Sequence, residues 1–166
     1  MRSICVFLAS AHGHGPDFVA AARATGPALA ARGWRLIYGG AHRGLMGVLA
    51  DACLAAGGEV IGVLPRDLEN RELAHHGLTE LRIVGSMAER KDQMMALADG
   101  FLTLPGGFGT LDELFEVITA AQLGYHEKPI AAYDLAGYYA PLRAWIDGAV
   151  AAGLVAREHG ALLSCH

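Results

Sequence analysis

The 166-residue chain is poor in charge: Asp, Glu, Lys and Arg make up 18% of it, against about 25% in an average soluble domain. Lysine is almost missing, with Lys91 and Lys128 its only representatives. A formal net charge of -4 argues against a nucleic-acid partner, because that affinity is built from many Lys and Arg contacts with phosphates. Cysteine is scarce as well. Cys5, Cys53 and Cys165 are odd in number, widely spaced and without a Cys-x-x-Cys pair, which points to free thiols in a reducing compartment rather than a disulfide framework. No stretch approaches the ~18 consecutive apolar residues of a membrane span. The apolar part of the Met1–Ala11 segment is shorter than the roughly 7 to 15 residues of a secretory leader, and a first β-strand explains it better. A cytoplasmic protein with no membrane partner is expected.

What is abundant is apolar residues, 53% of the chain, and glycine, 22 residues. Apolar runs bounded by Gly or Pro alternate with helical stretches, the pattern of βαβ units and a parallel sheet. Strands are expected at 3–9, 35–38, 60–64, 81–84, 101–104 and 130–133, and helices at 16–32, 45–56, 87–98, 110–123 and 138–152. The fold class is α/β, a doubly wound, Rossmann-like parallel sheet, with residues 1–166 forming a single domain. Pro65–Thr79 is polar, shows no clean period, and reads as a functional loop. The residues after Gly153 are too few for another full βα unit. Trp34 and Trp145 read as core.

Ligands of such sheets bind at the carboxyl ends of the strands. The most informative turn there is Pro105-Gly106-Gly107-Phe108-Gly109-Thr110-Leu111-Asp112-Glu113. Its glycines let backbone N–H groups approach an anion, and the helix that follows offers unpaired donors with a partial positive charge. Ser86-x-x-Glu89 and Thr110-x-x-Glu113 both match the capping box, so Glu113 reads as a helix cap or as a functional acid. Arg90 and Lys91 fall near the start of their helix, where the macrodipole disfavours cations by about 0.3 to 1 kcal/mol; a bound phosphate, or an ion pair such as one with Glu89, would offset that cost. Glu113, Glu116 and Thr119 share one face of their helix by spacing. Gly39-Gly40-Ala41-His42-Arg43-Gly44-Leu45-Met46-Gly47 forms a second glycine-rich turn that fits neither the P-loop nor the dinucleotide fingerprint. Eight histidines invite a metal, but no ligand set with metal spacing accompanies them, and no metal or other cofactor is expected.

Tyr38-Gly39-Gly40 with Gly44-Leu45-Met46-Gly47, then Glu89-Arg90-Lys91, then Pro105–Glu113, with Ala121-Gln122-Leu123-Gly124 and Lys128-Pro129, together resemble the signature of the LOG (LONELY GUY) family. Its members are cytokinin riboside 5'-monophosphate phosphoribohydrolases, many of them mislabelled lysine decarboxylases. The resemblance runs from about Ile4 to Val155. It implies cleavage of the N-glycosidic bond of an adenosine-type nucleoside 5'-monophosphate, cytokinin riboside monophosphate or AMP, by a homodimer. It further implies that Arg90 and Glu113 are catalytic, and that Glu72, Lys91, Gly107, Phe108, Gly109, Thr110 and Thr119, with Gly39 and Gly40 of the second turn, bind substrate.

The sequence departs from the family pattern at Leu8–Ala11, Ala88 and Ala120, and the first and last of these bear on the base pocket. A pyridoxal-dependent decarboxylase needs a Schiff-base lysine and a much larger fold, and is set aside. A non-catalytic nucleotide or molybdenum-cofactor carrier is the alternative, since it would use the same glycine turns without needing an acid beside Arg90.

Overall fold

The computed structural model describes residues 1–69 and 73–166. Among the described residues seven strands form one sheet in the order β4-β3-β2-β1-β5-β6-β7, each pairing between them parallel. They are β1 (Ser3–Phe7), β2 (Arg35–Tyr38), β3 (Val60–Pro65), β4 (Glu80–Val84), β5 (Gly100–Thr103), β6 (Ile130–Ala132) and β7 (Leu163–Cys165). The helices are α1 (Pro16–Ala30), α2 (Gly44–Ala55), the single turn α3 (Arg66–Glu69), α4 (Met87–Leu97), α5 (Phe108–Gln122), α6 (Ala140–Ala151) and the single turn α7 (Arg157–Gly160).

The strands are near-continuous apolar runs because helices cover both faces of the sheet. Along β1 and the residue after it, Cys5 and Phe7 face a core shared with Met94, Leu114 and Ile146, from α4, α5 and α6. Val6 and Leu8 face a second core, with Ala22, Leu29, Leu45 and Leu49 from α1 and α2. Successive strands run outward from β1 through β2 and β3 to β4, then restart at β5 on its other side. The chain therefore reverses its winding between β1 and β5, and a crevice opens beyond the carboxyl ends of those two strands.

β7 was not expected. The turn α7 and the two residues after it carry the chain from the end of α6 to the sheet edge, where Leu163 pairs with Ile130, so α6 itself serves as the crossover. Trp145 corrects a second expectation. It is 58% exposed, because α6 turns Ile146 to the core and leaves the indole edge-on against Phe115, with centroids 5.7 Å apart. Among the described residues no helix is long and apolar enough to cross a membrane.

Candidate functional site

A cavity of about 580 Å³ occupies the crevice. Leu8–Ala11 after β1, Gly39 after β2 and Gly107–Thr110 after β5 line it, together with Arg90 and Glu113. Ala41, Met46, Leu64, Leu68 and Leu73 add an apolar wall, and Arg43 also borders the cavity.

Helix α5 begins earlier than its sequence suggests. Its N-cap is Gly107, and no side chain caps it. Thr110 therefore sits at the third helical position and Glu113 within the second turn, so the capping-box reading of this pair does not hold. The first N–H after the cap to find an acceptor in the helix is that of Leu111, which donates to Gly107 O at 3.0 Å; those of Phe108, Gly109 and Thr110 precede it and are left for an incoming anion. At the start of α4 a close variant of the capping box forms, with Glu89 reaching one residue past the Ser86 N-cap. Ser86 Oγ accepts the Glu89 N–H at 3.1 Å, and Glu89 reaches back to the Gly85 N–H at 2.7 Å.

Arg90 and Glu113 meet across the gap between α4 and α5. Arg90 donates to Val63 O through Nε at 3.0 Å and stands 3.1 Å from Glu113 Oε1 through Nη1. Both residues are 8% exposed. Glu113 is pushed up to about 7, mainly by burial, with Asp112 and Glu116 adding to the rise and Arg90 and Lys91 opposing it. A buried carboxylate balanced near neutrality and held by a guanidinium can exchange a proton under ordinary conditions. Gly39 makes the pair possible, since a β-carbon there would fall on the Arg90 guanidinium.

The dipole cost of two cations early in α4 is offset by α5, not by Glu89. Lys91 Nζ lies 3.0 Å from Asp112 Oδ2 and 2.9 Å from Glu116 Oε2. The Glu116 contact is the main influence raising its pKa, with burial opposing and Asp112 assisting. Lys91 and Thr119 line a separate cleft on the far side of α5, with Met95, Phe115, Leu123 and Tyr125. The expected stripe of Glu113, Glu116 and Thr119 is partly divided: Glu113 faces the main cavity and Glu116 and Thr119 face the second cleft, while Glu113, Glu116 and Lys91 also border one small gap.

Of the remaining expected contacts, Gly107, Phe108, Gly109, Thr110 and Gly39 line the main cavity. Gly40 stands behind the wall, its carbonyl accepting the His75 N–H at 3.0 Å. Glu72 lies outside the described residues. The apolar wall went unread, although Leu68 and Leu73 were visible as apolar residues interrupting a polar stretch.

The sequence matches, over residues 46–166, the family described as possible lysine decarboxylase. It is 45% identical over 157 residues to the rice (Oryza sativa subsp. japonica) cytokinin riboside 5'-monophosphate phosphoribohydrolase LOG, covering 95% of this chain. It is 44% identical over 155 residues to the cytokinin riboside 5'-monophosphate phosphoribohydrolase of Mycobacterium marinum, covering 93% of this chain and 82% of that protein. The chain belongs to the LOG family. This member spans 65% of the rice relative's length.

The fold of this LOG-family chain is also that of two solved structures of low identity. The molybdenum cofactor carrier protein of Chlamydomonas reinhardtii superposes with a TM-score of 0.73 at 19% identity, over 99% of this chain and 88% of that one. The molybdenum cofactor binding protein of Rippkaea orientalis gives 0.69 at 19%, over 99% and 89%. Neither lysine of this LOG-family member lines the main cavity: Lys91 is held by its two acids, and Lys128 Nζ donates to Met95 O at 2.7 Å. The amine that a Schiff base requires is therefore not presented there.

Proposed function

We propose that the protein hydrolyses the N-glycosidic bond of a nucleoside 5'-monophosphate, a cytokinin riboside 5'-monophosphate or AMP, to free base and ribose 5-phosphate. The observation that carries this reading is the buried Arg90–Glu113 pair opening onto the same cavity as the N-terminus of α5. The 5'-phosphate sits on the N–H groups of Gly107–Thr110, the ribose lies over Glu113, and the base extends toward the apolar wall of Met46, Leu64, Leu68 and Leu73.

As the bond from C1' to the base nitrogen breaks, its electron pair leaves with the base and positive charge develops on the ribose. Glu113 in its ionised form stabilises that charge and takes a proton from the attacking water. The hydroxyl bonds to C1', and the proton taken from water balances the one gained by the departing base. Arg90 holds Glu113 in place and faces the ribose. The reaction consumes water alone.

The relatives' names supply the substrate class. A homodimer is part of the proposal. Leu123, Tyr125 and Trp145 are 60%, 78% and 58% exposed around or beside the second cleft, a patch suited to cover by a second copy, and Lys91 and Thr119 would then act at that interface. The unpaired thiols Cys5, Cys53 and Cys165 fit a cytoplasmic setting.

The test is release of free base from AMP and from N6-prenylated AMP, followed by absorbance, for the wild-type protein and Glu113→Gln. Wild-type release abolished by Glu113→Gln supports the reading. Tight nucleotide binding without base release would overturn it in favour of a carrier.

A further inference from the structure

The link from β5 to α5 has little with which to shape itself, since Pro105, Gly106 and Gly107 carry no side chain able to make a hydrogen bond. Its form is imposed by two consecutive tyrosines just before α6. The Tyr139 hydroxyl donates to Leu104 O at 2.8 Å, and the Tyr138 hydroxyl donates to Gly106 O at 2.7 Å. A trans peptide carries its C=O and N–H in opposite directions. A Gly106 carbonyl held at Tyr138 therefore turns the Gly107 N–H away from that tyrosine, and Gly107 borders the main cavity. Leu104 precedes a proline, so the Tyr139 contact anchors the link without orienting a further donor.

The link is also gripped from its other side. The Thr110 side chain occupies the space where a β-carbon on Gly106 would stand, so only glycine fits between Thr110 and the Tyr138 hydroxyl. The tyrosines are themselves set firmly. Asp134 Oδ1 accepts the Tyr139 N–H at 2.6 Å, and Tyr138 is packed edge-on between Phe18 and Tyr139, at 5.8 Å and 5.1 Å between centroids. Ala136, two residues before Tyr138, adopts a left-handed φ of 51°. For a non-glycine residue that conformation costs on the order of 1 kcal/mol; here it lies within the short turn that delivers both hydroxyls to the link.

We propose that Tyr138 and Tyr139 are positioning residues for the glycine loop: Tyr138 aims the Gly107 N–H at the substrate's 5'-phosphate, and Tyr139 anchors the link that carries it. The inference rests on the phosphate-binding part of the function proposed above. It gives the segment before α6 a part in substrate affinity, while leaving bond cleavage to Arg90 and Glu113.

Tyr138→Phe removes one hydroxyl from a half-exposed ring and keeps its packing. Titration calorimetry with ribose 5-phosphate, and steady-state kinetics with AMP or N6-prenylated AMP, are compared with wild type. Loss of one aiming hydrogen bond is expected to weaken ribose 5-phosphate binding and raise KM by about fivefold, with kcat within about twofold and the thermal midpoint unchanged. Tyr139→Phe is expected to act in the same direction on KM and to lower the midpoint too, because it strands the Leu104 carbonyl in the core. Wild-type affinity in Tyr138→Phe would overturn the positioning role and leave the phosphate reading intact. Parallel losses of kcat and thermal stability with no change in KM would likewise assign the tyrosines a purely structural part. If the wild-type protein bound no ribose 5-phosphate, the phosphate reading itself would fall and this role with it.

Discussion

Arg90 and Lys91 follow one another on α4, and each is paired with acids of α5, but the two ion pairs sit in different surroundings. Side-chain exposure is 9% and 10% for Arg90 and Glu113, against 18%, 59% and 35% for Lys91, Asp112 and Glu116. One residue along a helix is a rotation of about 100°, enough to send the first pair into the strand-end cavity and the second into the opposite cleft. Burial raises the cost of charge on Glu113 until its proton becomes exchangeable near neutrality. The wetter contacts of Lys91 with Asp112 and Glu116 mainly tie the two helices together. Chemistry and bracing are thus separated by burial rather than by residue type, and that separation can be tested.

The largest effect is expected at the buried acid. Glu113→Gln keeps the shape and removes the proton acceptor, so base release should fall about 10³-fold while circular dichroism stays unchanged. Arg90→Ala should also abolish turnover, and should lower stability by about 3 kcal/mol in urea titrations at pH 8, because it leaves a buried carboxylate alone. That loss should shrink at pH 5, where Glu113 takes up a proton. Retained stability in Arg90→Ala at pH 8 would mean that the pair is not the buried unit described here. Gly39→Ala should push the guanidinium off Glu113 and cost about 10²-fold in kcat/KM, and should lower the melting temperature in the same direction as Arg90→Ala but by less, since the displaced atoms are the far end of a flexible side chain whose charge stays nearby.

The pH dependence follows from the same contrast. If Glu113 works ionised, kcat/KM should rise about tenfold per unit below an apparent pKa of about 7 and level off above it. Stability should move the other way. The folded protein holds the Glu113 proton more tightly than the unfolded chain, so this group favours folding at low pH; that advantage is lost as pH climbs from 4.5 to about 7, a change of about 3 kcal/mol. Urea midpoints from pH 4 to 9 measure it, with Glu113→Gln as the flat reference. Lys91 is also raised, from 10.5, so its stabilisation is complete below that value and is lost only at strongly alkaline pH. A wild-type midpoint that changes no more than that of Glu113→Gln would erase the distinction between the pairs.

Much of this was legible in the chain itself, for physical reasons that differ by element. The strands from β1 to β6 and the helices α1, α2 and α4 were readable to within about two residues, because burial on both faces writes continuous apolar runs bounded by Gly and Pro. The strand β7 was hidden by the shortness of its approach through α7. The start of α5 was misplaced because Phe108 and Gly109 are poor helix formers, and tertiary packing, not propensity, begins the helix at Phe108. Arg90 and Glu113 were both marked as candidates on separate helices, but their contact depends on how α4 and α5 lie on the sheet, which no local pattern records. Tyr138 and Tyr139 left no trace, since the helix expected at 138–152 placed both in its first turn, whereas α6 begins at Ala140.

The smallest expected effect bears most directly on Lys91. Lys91→Met keeps most of the side-chain volume and removes the charge, so stability should fall by less than about 1 kcal/mol, as for other partly exposed pairs. In a protein whose second cleft only braces the helices, KM for the nucleotide would stay at the wild-type value. If a second copy covers that cleft and brings Lys91 to the substrate, KM should rise severalfold with kcat nearly constant, and Trp145→Glu, which charges the same face, should raise KM along with a shift toward monomer in sedimentation. A kcat loss in Lys91→Met as large as that of Arg90→Ala would break the division altogether, because a residue outside the lining of the main cavity would then carry the chemistry.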